Sequence, residues 1–381
     1  MTKSSLFAVI LYFLFVSLPT TSPFECLDEK GNSVDWSVLY KLPKHKKDHN
    51  EAESGVGYEY ITSESSKHGW TLSNFSIHEE KSIPGRTLSP LYNDKQNGPP
   101  SSTMHLFYND QPPKPDQTSF TSGHTKGVLA FNEDKGIWLV HSVPHYPPKP
   151  KSSKYDYPHT GERYGQTFLC ISLSTPESVN DILEQLLYNT PNIYSYDIPS
   201  WFQSKYPRVK ALIRGDQEKG VPFHKAQLRS IGGTLFTSFA KNSMFHRDLY
   251  ADFVAPELKT GLLVETWPNG RGKLESWCKG LYHVENVDEL QFPIEKVEEY
   301  DFKTTHDHSK WAISHSTTNQ VEEEDSNESD QDNKKKIVCI GDINRMKTQF
   351  KRGGGTVCFE NSNTWRAFDE LVKVTETCPL K

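Results

Sequence analysis

Short apolar runs broken by Gly, Pro, Asn and Asp recur along most of this chain, which is the pattern of strands rather than of long helices. Val34 to Leu42 is rich in β-branched and aromatic residues and reads as a strand. It runs into Lys44-His45-Lys46-Lys47, a basic cluster that reads as a solvated loop, and Gly- and Pro-marked turns fill 84–116. Gly127-Val128-Leu129-Ala130-Phe131 and Gly136-Ile137-Trp138-Leu139-Val140 flank Asn132-Glu133-Asp134-Lys135 and predict a β-hairpin. After a break from Pro144 to Pro150, Thr167 to Leu173 resumes as a buried strand. Two segments carry a helical period instead. Val179, Ile182, Leu183, Leu186 and Leu187 form one stripe, with Thr175 as cap and Pro176 in the first turn. Trp365, Phe368 and Val372 mark one side of a second helix near the C-terminus. Gly353-Gly354-Gly355 lacks P-loop spacing and reads as a tight turn before the strand Thr356–Phe359. Strands and helices alternate through both halves, so the expected class is mixed α/β.

Two stretches depart from this pattern. Lys3 precedes the apolar run Leu6 to Leu18, and Pro19-Thr20-Thr21-Ser22 follow it, which predicts a signal peptide over 1–22. That run of about 13 residues is shorter than the ~20 a spanning helix requires, so no stable membrane anchor is expected. Residues 316–336 hold seven acids, three lysines and one apolar residue. Such a composition cannot bury a core and predicts a disordered surface insertion.

Composition sharpens the compartment. Cys26, Cys170, Cys278, Cys339, Cys358 and Cys378 include no CxxC pair and no metal-finger spacing, so an exported chain should use them in disulfides. Asn74-Phe75-Ser76 and Asn327-Glu328-Ser329 are glycosylation sequons, which makes Asn74 and Asn327 candidate glycan sites. The net charge of −6 is the wrong sign for a nucleic-acid binder at neutral pH. Protonating all fifteen histidines near pH 5 would turn it into about +9. An anionic substrate therefore suits this chain only in an acidic compartment.

The candidate chemistry lies in Gly123-His124-Thr125-Lys126-Gly127 and Asp307-His308-Ser309-Lys310-Trp311. Residues two apart on a strand share a face, so each His–Lys pair would aim at one point. A neutral imidazole can attack phosphorus while a protonated one hands a proton to the leaving oxygen. Two ammonium groups would stabilise the non-bridging oxygens. This chemistry calls for no metal and no cofactor. The tripeptide alone says little, because a chain rich in His and Lys makes it by chance, as His45-Lys46-Lys47 illustrates.

The surrounding blocks are far more specific. VDWSVLYKLP (34–43), GHTKGVL (123–129), GIWLVHSVPHYP (136–147), YGQTFLCIS (164–172), GLLVETWPNG (261–270), HDHSKWAIS (306–314) and CIGDINR…KRGGGTVCF (339–359) together resemble the deoxyribonuclease II family, in family order. The resemblance implies a phospholipase D-like pseudo-dimer with halves at 23–205 and 206–381, each a central mixed sheet flanked by helices. Each half would give one HxK to a shared site, with His124, Lys126, His308 and Lys310 catalytic. It implies hydrolysis of double-stranded DNA to 3′-phosphate and 5′-hydroxyl ends through a phosphohistidine, in lysosomes or outside the cell. The DNA would come from dead or ingested cells. Gly341-Asp342-Ile343-Asn344 is similar to the segment that follows HxK in phospholipase D-like proteins. Asn344 is therefore a candidate phosphate- or Lys-orienting group, and Ser142 stands in the equivalent place of the first half. Glu265 and Asn269 lie in a family block without an assigned role. The disulfides implied are Cys26–Cys170, Cys339–Cys358 and Cys278–Cys378. The alternatives are a secreted DNA-binding relative without turnover and a phospholipase D-type phosphodiesterase. No oligomeric state is assigned.

Overall fold

The computed structural model describes residues 24–45, 54–92, 102–114, 117–150, 154–294, 300–315 and 335–378. The predicted leader 1–22, Lys46, Lys47, Asn327 and the insertion up to residue 334 lie outside them.

Two large sheets form the molecule. The first holds β3 (Trp36–Lys41), β4 (Tyr58–Thr62), β5 (Thr71–Leu72), β6 (Met104–Asn109), β7 (Lys126–Phe131), β8 (Lys135–His141), β9 (Gln166–Ser174) and β10 (Ile193–Asp197). The small ribbon β1 (Cys26–Leu27) and β2 (Ser33–Val34) precedes it. The second holds β11 (Phe223–Arg229), β12 (Leu235–Lys241), β13 (Gly261–Thr266), β14 (Val284–Phe292), β15 (Tyr300–Lys303), β16 (Lys310–His315), β17 (Ile337–Gly341), β18 (Gly354–Glu360) and β19 (Val372–Glu376). Helices Ser200–Lys205 and Arg208–Ile213 carry the chain from one sheet to the other.

The strand orders reveal an internal repeat. The first sheet runs β10-β6-β7-β8-β9-β3-β4-β5; the second runs β14-β13-β16-β17-β18-β12-β11 when read in the matching direction, with β15 and β19 beyond. Within each, β6-β7-β8-β9-β3 and β13-β16-β17-β18-β12 are antiparallel at every step. Even the register matches: Lys126 opens β7 opposite Asn109, the last residue of β6, and Lys310 opens β16 opposite Thr266, the last of β13. The first sheet is antiparallel throughout its described pairings, while the second is mixed through the parallel pair β13–β14.

Continuous apolar strands follow from this layering. Both faces of each central strand are covered, so period-two alternation disappears from the sequence. In β9, Leu169 and Ile171 enter the core shared by the two sheets, whereas Phe168 and Cys170 enter a second core on the outer side. In β17, Val338 and Ile340 face the shared core and Cys339 an outer one. The sheets meet through pairs such as Trp36 and Phe359, with ring centroids 4.9 Å apart, a contact worth about 0.5–1.5 kcal/mol beyond burial.

The hairpin and the strands at 36–41 and 166–174 form where the pattern places them. Three local expectations change. The helix Thr175–Asn189 has Ser174 at its N-cap position with no side-chain cap bond, and Thr175 Oγ1 donates to the Asn132 carbonyl. The helix Ser362–Asp369 stops before Val372, which opens β19, because β14 offers an edge for pairing. Gly354 and Gly355 belong to β18 rather than to a turn: an added Cβ on Gly355 would lie 2.3 Å from the Phe239 carbonyl oxygen, so the close pairing with β12 requires glycine. Disulfides join Cys26 to Cys170, Cys278 to Cys378 and Cys339 to Cys358.

Candidate active site

His124 and His308 do not lie on strands. Each sits two residues before one, and its position is fixed by bonds to residues far off in sequence rather than by the pleat. The His124 N–H donates to the Gly353 carbonyl and the His308 N–H to the Gly165 carbonyl, both at 2.8 Å. Gly353 precedes β18 and Gly165 precedes β9, so the two contacts are equivalents. Both turns are tight. A Cβ on Gly123 would fall 1.7 Å from the Asn189 carbonyl oxygen, and one on Gly165 would fall 2.2 Å from Asp307 Oδ1.

The imidazoles are then held by an exchange between the sheets. His124 Nδ1 lies 2.5 Å from the carbonyl oxygen of Asp342, just past β17 of the second sheet. His308 Nδ1 lies 3.0 Å from the carbonyl oxygen of Ser142, just past β8 of the first. A carbonyl only accepts, so each Nδ1 carries the proton, and each Nε2 is left for chemistry. Both rings are buried.

The lysines are buried too but partnered differently. Lys126 Nζ is 2.5 Å from Asp110 Oδ1, and Arg352 reaches the other Asp110 oxygen at 3.2 Å. Burial alone would raise the Asp110 carboxyl, but Lys126, His124 and Arg352 hold it well below the usual range. Lys310 forms no ion pair among the described residues. Its Nζ donates to the His308 carbonyl and stands 3.0 Å from His308 Nδ1. Burial, and then the charge of Lys126, push Lys310 well below an ordinary lysine, while Glu265 and Asp307 counteract. These influences cross from one sheet to the other, so the two His–Lys pairs form one electrostatic unit. Burial and the adjacent ammonium likewise hold His124 and His308 well below an ordinary imidazole.

Ser142 and Asn344 differ in what they offer. The Ser142 hydroxyl donates to Gln166 Oε1 at 2.6 Å and accepts from the Thr167 N–H, so it is engaged within the protein while its carbonyl holds His308. Asn344 is buried with its Oδ1 free of any protein partner among the described residues. Glu265 is fully buried in β13; burial and Asp307 raise its carboxyl far above the usual range. Asn269 instead bonds the Thr305 carbonyl at 2.7 Å. Asn74 is exposed.

Several groups escape a reading by motif. Asp110, the lysine counter-ion, sits among turn residues with no signature of its own. Arg352 anchors the loop before His124 through the Ser122 carbonyl at 2.9 Å. Asp342 gives His124 its carbonyl and accepts from Thr125 Oγ1 and the Gly355 N–H, with its carboxyl pushed up to about 6 by burial. Trp267 places its ring 5.0 Å from that of His308. Asp342, Trp267 and Gln166 all fall inside the sequence blocks singled out above, which was the available signal.

The sequence model of the family "Deoxyribonuclease II" matches residues 25–378. The chain is 37% identical to deoxyribonuclease-2-alpha of Sus scrofa, over 93% of this chain and 90% of that protein. It is 36% identical to deoxyribonuclease-2-beta of Homo sapiens, over 98% and 96%, and 36% identical to deoxyribonuclease-2 of Caenorhabditis elegans, over 96% of each. With a match of this extent running through every element that builds the site, the chain belongs to the deoxyribonuclease II family.

Proposed function

We propose that this chain is a metal-independent acid endodeoxyribonuclease in which His124, Lys126, His308 and Lys310 form one catalytic centre. The observation that carries the reading is the exchanged clamp: each Nδ1 bonds a carbonyl from the other sheet, and neither Nε2 has a hydrogen-bond partner among the described residues, beside two buried amines. Nε2 of one histidine attacks phosphorus, and the P–O5′ bond breaks as the other Nε2–H protonates the departing 5′ oxygen. The second histidine, now neutral, takes a proton from water, which attacks the phosphohistidine and frees a 3′-phosphate end. Lys126 and Lys310 stabilise the non-bridging oxygens, with Asn344 a further phosphate contact through its amide.

Acid dependence follows from the same environment. Both imidazoles are held below their ordinary range, so both are neutral near pH 7, and the general acid appears only as pH falls. The substrate is double-stranded DNA, and the working compartment is the lysosome or the extracellular space. Three disulfides suit that route, as does the predicted leader. No described helix is long and apolar enough to cross a membrane.

End-group analysis tests the reading. Fragments produced at pH 5 should resist 3′ extension by a polymerase until a phosphatase removes the 3′-phosphate, and should accept label from a kinase at their 5′ ends directly. Ends with a 5′-phosphate and 3′-hydroxyl, or retention of uncut DNA by folded protein, would overturn it.

A further inference from the structure

Away from the buried site, four polar groups meet on the surface of the first half. Glu162 Oε1 is 3.0 Å from His78 Nε2 and 2.5 Å from His159 Nδ1. The other nitrogen of His78 faces Asp156 Oδ1 at 3.3 Å. One ligand atom from each of His78, His159 and Glu162 lies within 4.8 Å of the others.

The chemistry of this cluster is underdetermined by protein alone. When His78 is neutral and its Nδ1–H donates to Asp156, its Nε2 turns a lone pair toward a carboxylate oxygen. Two lone pairs facing each other at hydrogen-bond distance repel, so a positive species belongs between them, either a proton or a metal ion. The arrangement favours the metal on two counts. Two imidazoles and a carboxylate with an open fourth position are a standard zinc donor set. The 3.0 Å between His78 and Glu162 is near the roughly 3.3 Å between tetrahedral ligands, and the 2.5 Å between His159 and Glu162 would open on metal binding by movement of the exposed His159 side chain. Asp156 also supplies what ligating histidines commonly have, a carboxylate on the remote nitrogen that fixes tautomer and ring orientation. The His78 ring is further held edge-on to Tyr157, with centroids 5.6 Å apart.

We propose that His78, His159 and Glu162 form a zinc-class transition-metal site oriented by Asp156, separate from the nuclease centre. Its place in the fold gives it a structural consequence. His159 and Glu162 belong to one turn, the His159–Gly161 helical turn, and His78 reaches that turn from a distant segment. The Glu162 carbonyl accepts from the buried Lys41 Nζ at 2.8 Å, and three residues on, Gly165 holds the His308 backbone. A bound ion would staple the turn that leads into the His308 anchor. A second cluster among the described residues, His283, Glu285 and Cys378, lacks a thiolate because Cys378 is in a disulfide.

The test is zinc binding by the full mature chain, stripped of metal and titrated with zinc chloride at pH 7.4, followed by a metal count after dialysis. One zinc per chain is expected. His78→Ala and His159→Ala should each weaken it at least ten-fold, and Asp156→Asn by a smaller factor. His68→Ala, at an exposed histidine elsewhere, should bind as wild type. Circular dichroism in metal-free buffer verifies that the variants fold. No retained zinc, or retention unchanged in the double variant His78→Ala/His159→Ala, would overturn the site. A lower metal-free melting temperature in that variant would then assign the cluster to imidazolium–carboxylate pairing.

Discussion

At the scale of single residues, the proposed chemistry of the two histidines rests on what touches Nδ1, and its proposed acid dependence on burial beside amines. Asp110 is the sensitive partner, because it neutralises Lys126 and raises the His124 imidazole against the effects that lower it. Asp110→Asn removes that support. With His124 as the general acid, its imidazole then falls further, so the alkaline limb of the activity profile should move to lower pH, and kcat/KM at pH 5 should drop about ten-fold. A pH–rate profile superimposable on wild type would contradict this role. His124, Lys126, His308 and Lys310 stand out in sequence through the blocks around them, since the spacing alone also arises at His45-Lys46-Lys47. Asp110 is not legible: a single aspartate after a strand looks like any turn residue, and only the fold brings it to Lys126.

At the scale of elements, positioning depends on turns that admit no side chain and on strands tied near their ends. Gly123→Ala would set a Cβ against the Asn189 carbonyl and displace His124. A shift on the order of 1 Å should cost about 100-fold in kcat while DNA binding changes little. Steady-state kinetics beside a filter-binding assay would reveal it, and equal losses in both would argue for general unfolding. Cys339 and Cys358 face each other across β17 and β18 and close a loop with sequence separation 19 that contains Asp342. Replacing both with alanine should cost roughly 3 kcal/mol in urea unfolding. Strands such as β9 were readable as apolar runs, since burial on both faces leaves an unbroken signature. The end of the last helix was not, since Val372 continues the helical stripe and leaves it only because β14 has a free edge to pair.

At the scale of the whole molecule, charge and stability both respond to acid. The swing toward positive charge is smaller than a count of histidines gives, because His124, His141 and His308 are held down by burial. Their folded values are depressed, so the stability they contribute is lost as pH falls through those values. Buried acids act in the opposite sense. Burial raises Glu59 to about 8, so its contribution is present below the ordinary carboxylate range and is lost as pH rises toward 8. Glu59→Gln should remove a slope of about 1.4 kcal/mol per pH unit across that window, leaving the variant more stable than wild type at pH 8 and little changed at pH 4. Parallel denaturation curves at both pH values would show it. The internal duplication was only half visible in sequence: two HxK motifs hinted at it, but the matched strand orders arise from pairings between segments far apart.

The central claim is that two histidines, one from each half, cut DNA together without a metal. Its most direct test is cleavage of supercoiled plasmid at pH 5 in excess EDTA by the mature chain, beside His124→Ala and His308→Ala. The wild type should nick and linearise the plasmid, and each variant should lose activity by at least about 1,000-fold while keeping its fold. Cleavage that EDTA abolishes, or that survives in either variant, would contradict the account.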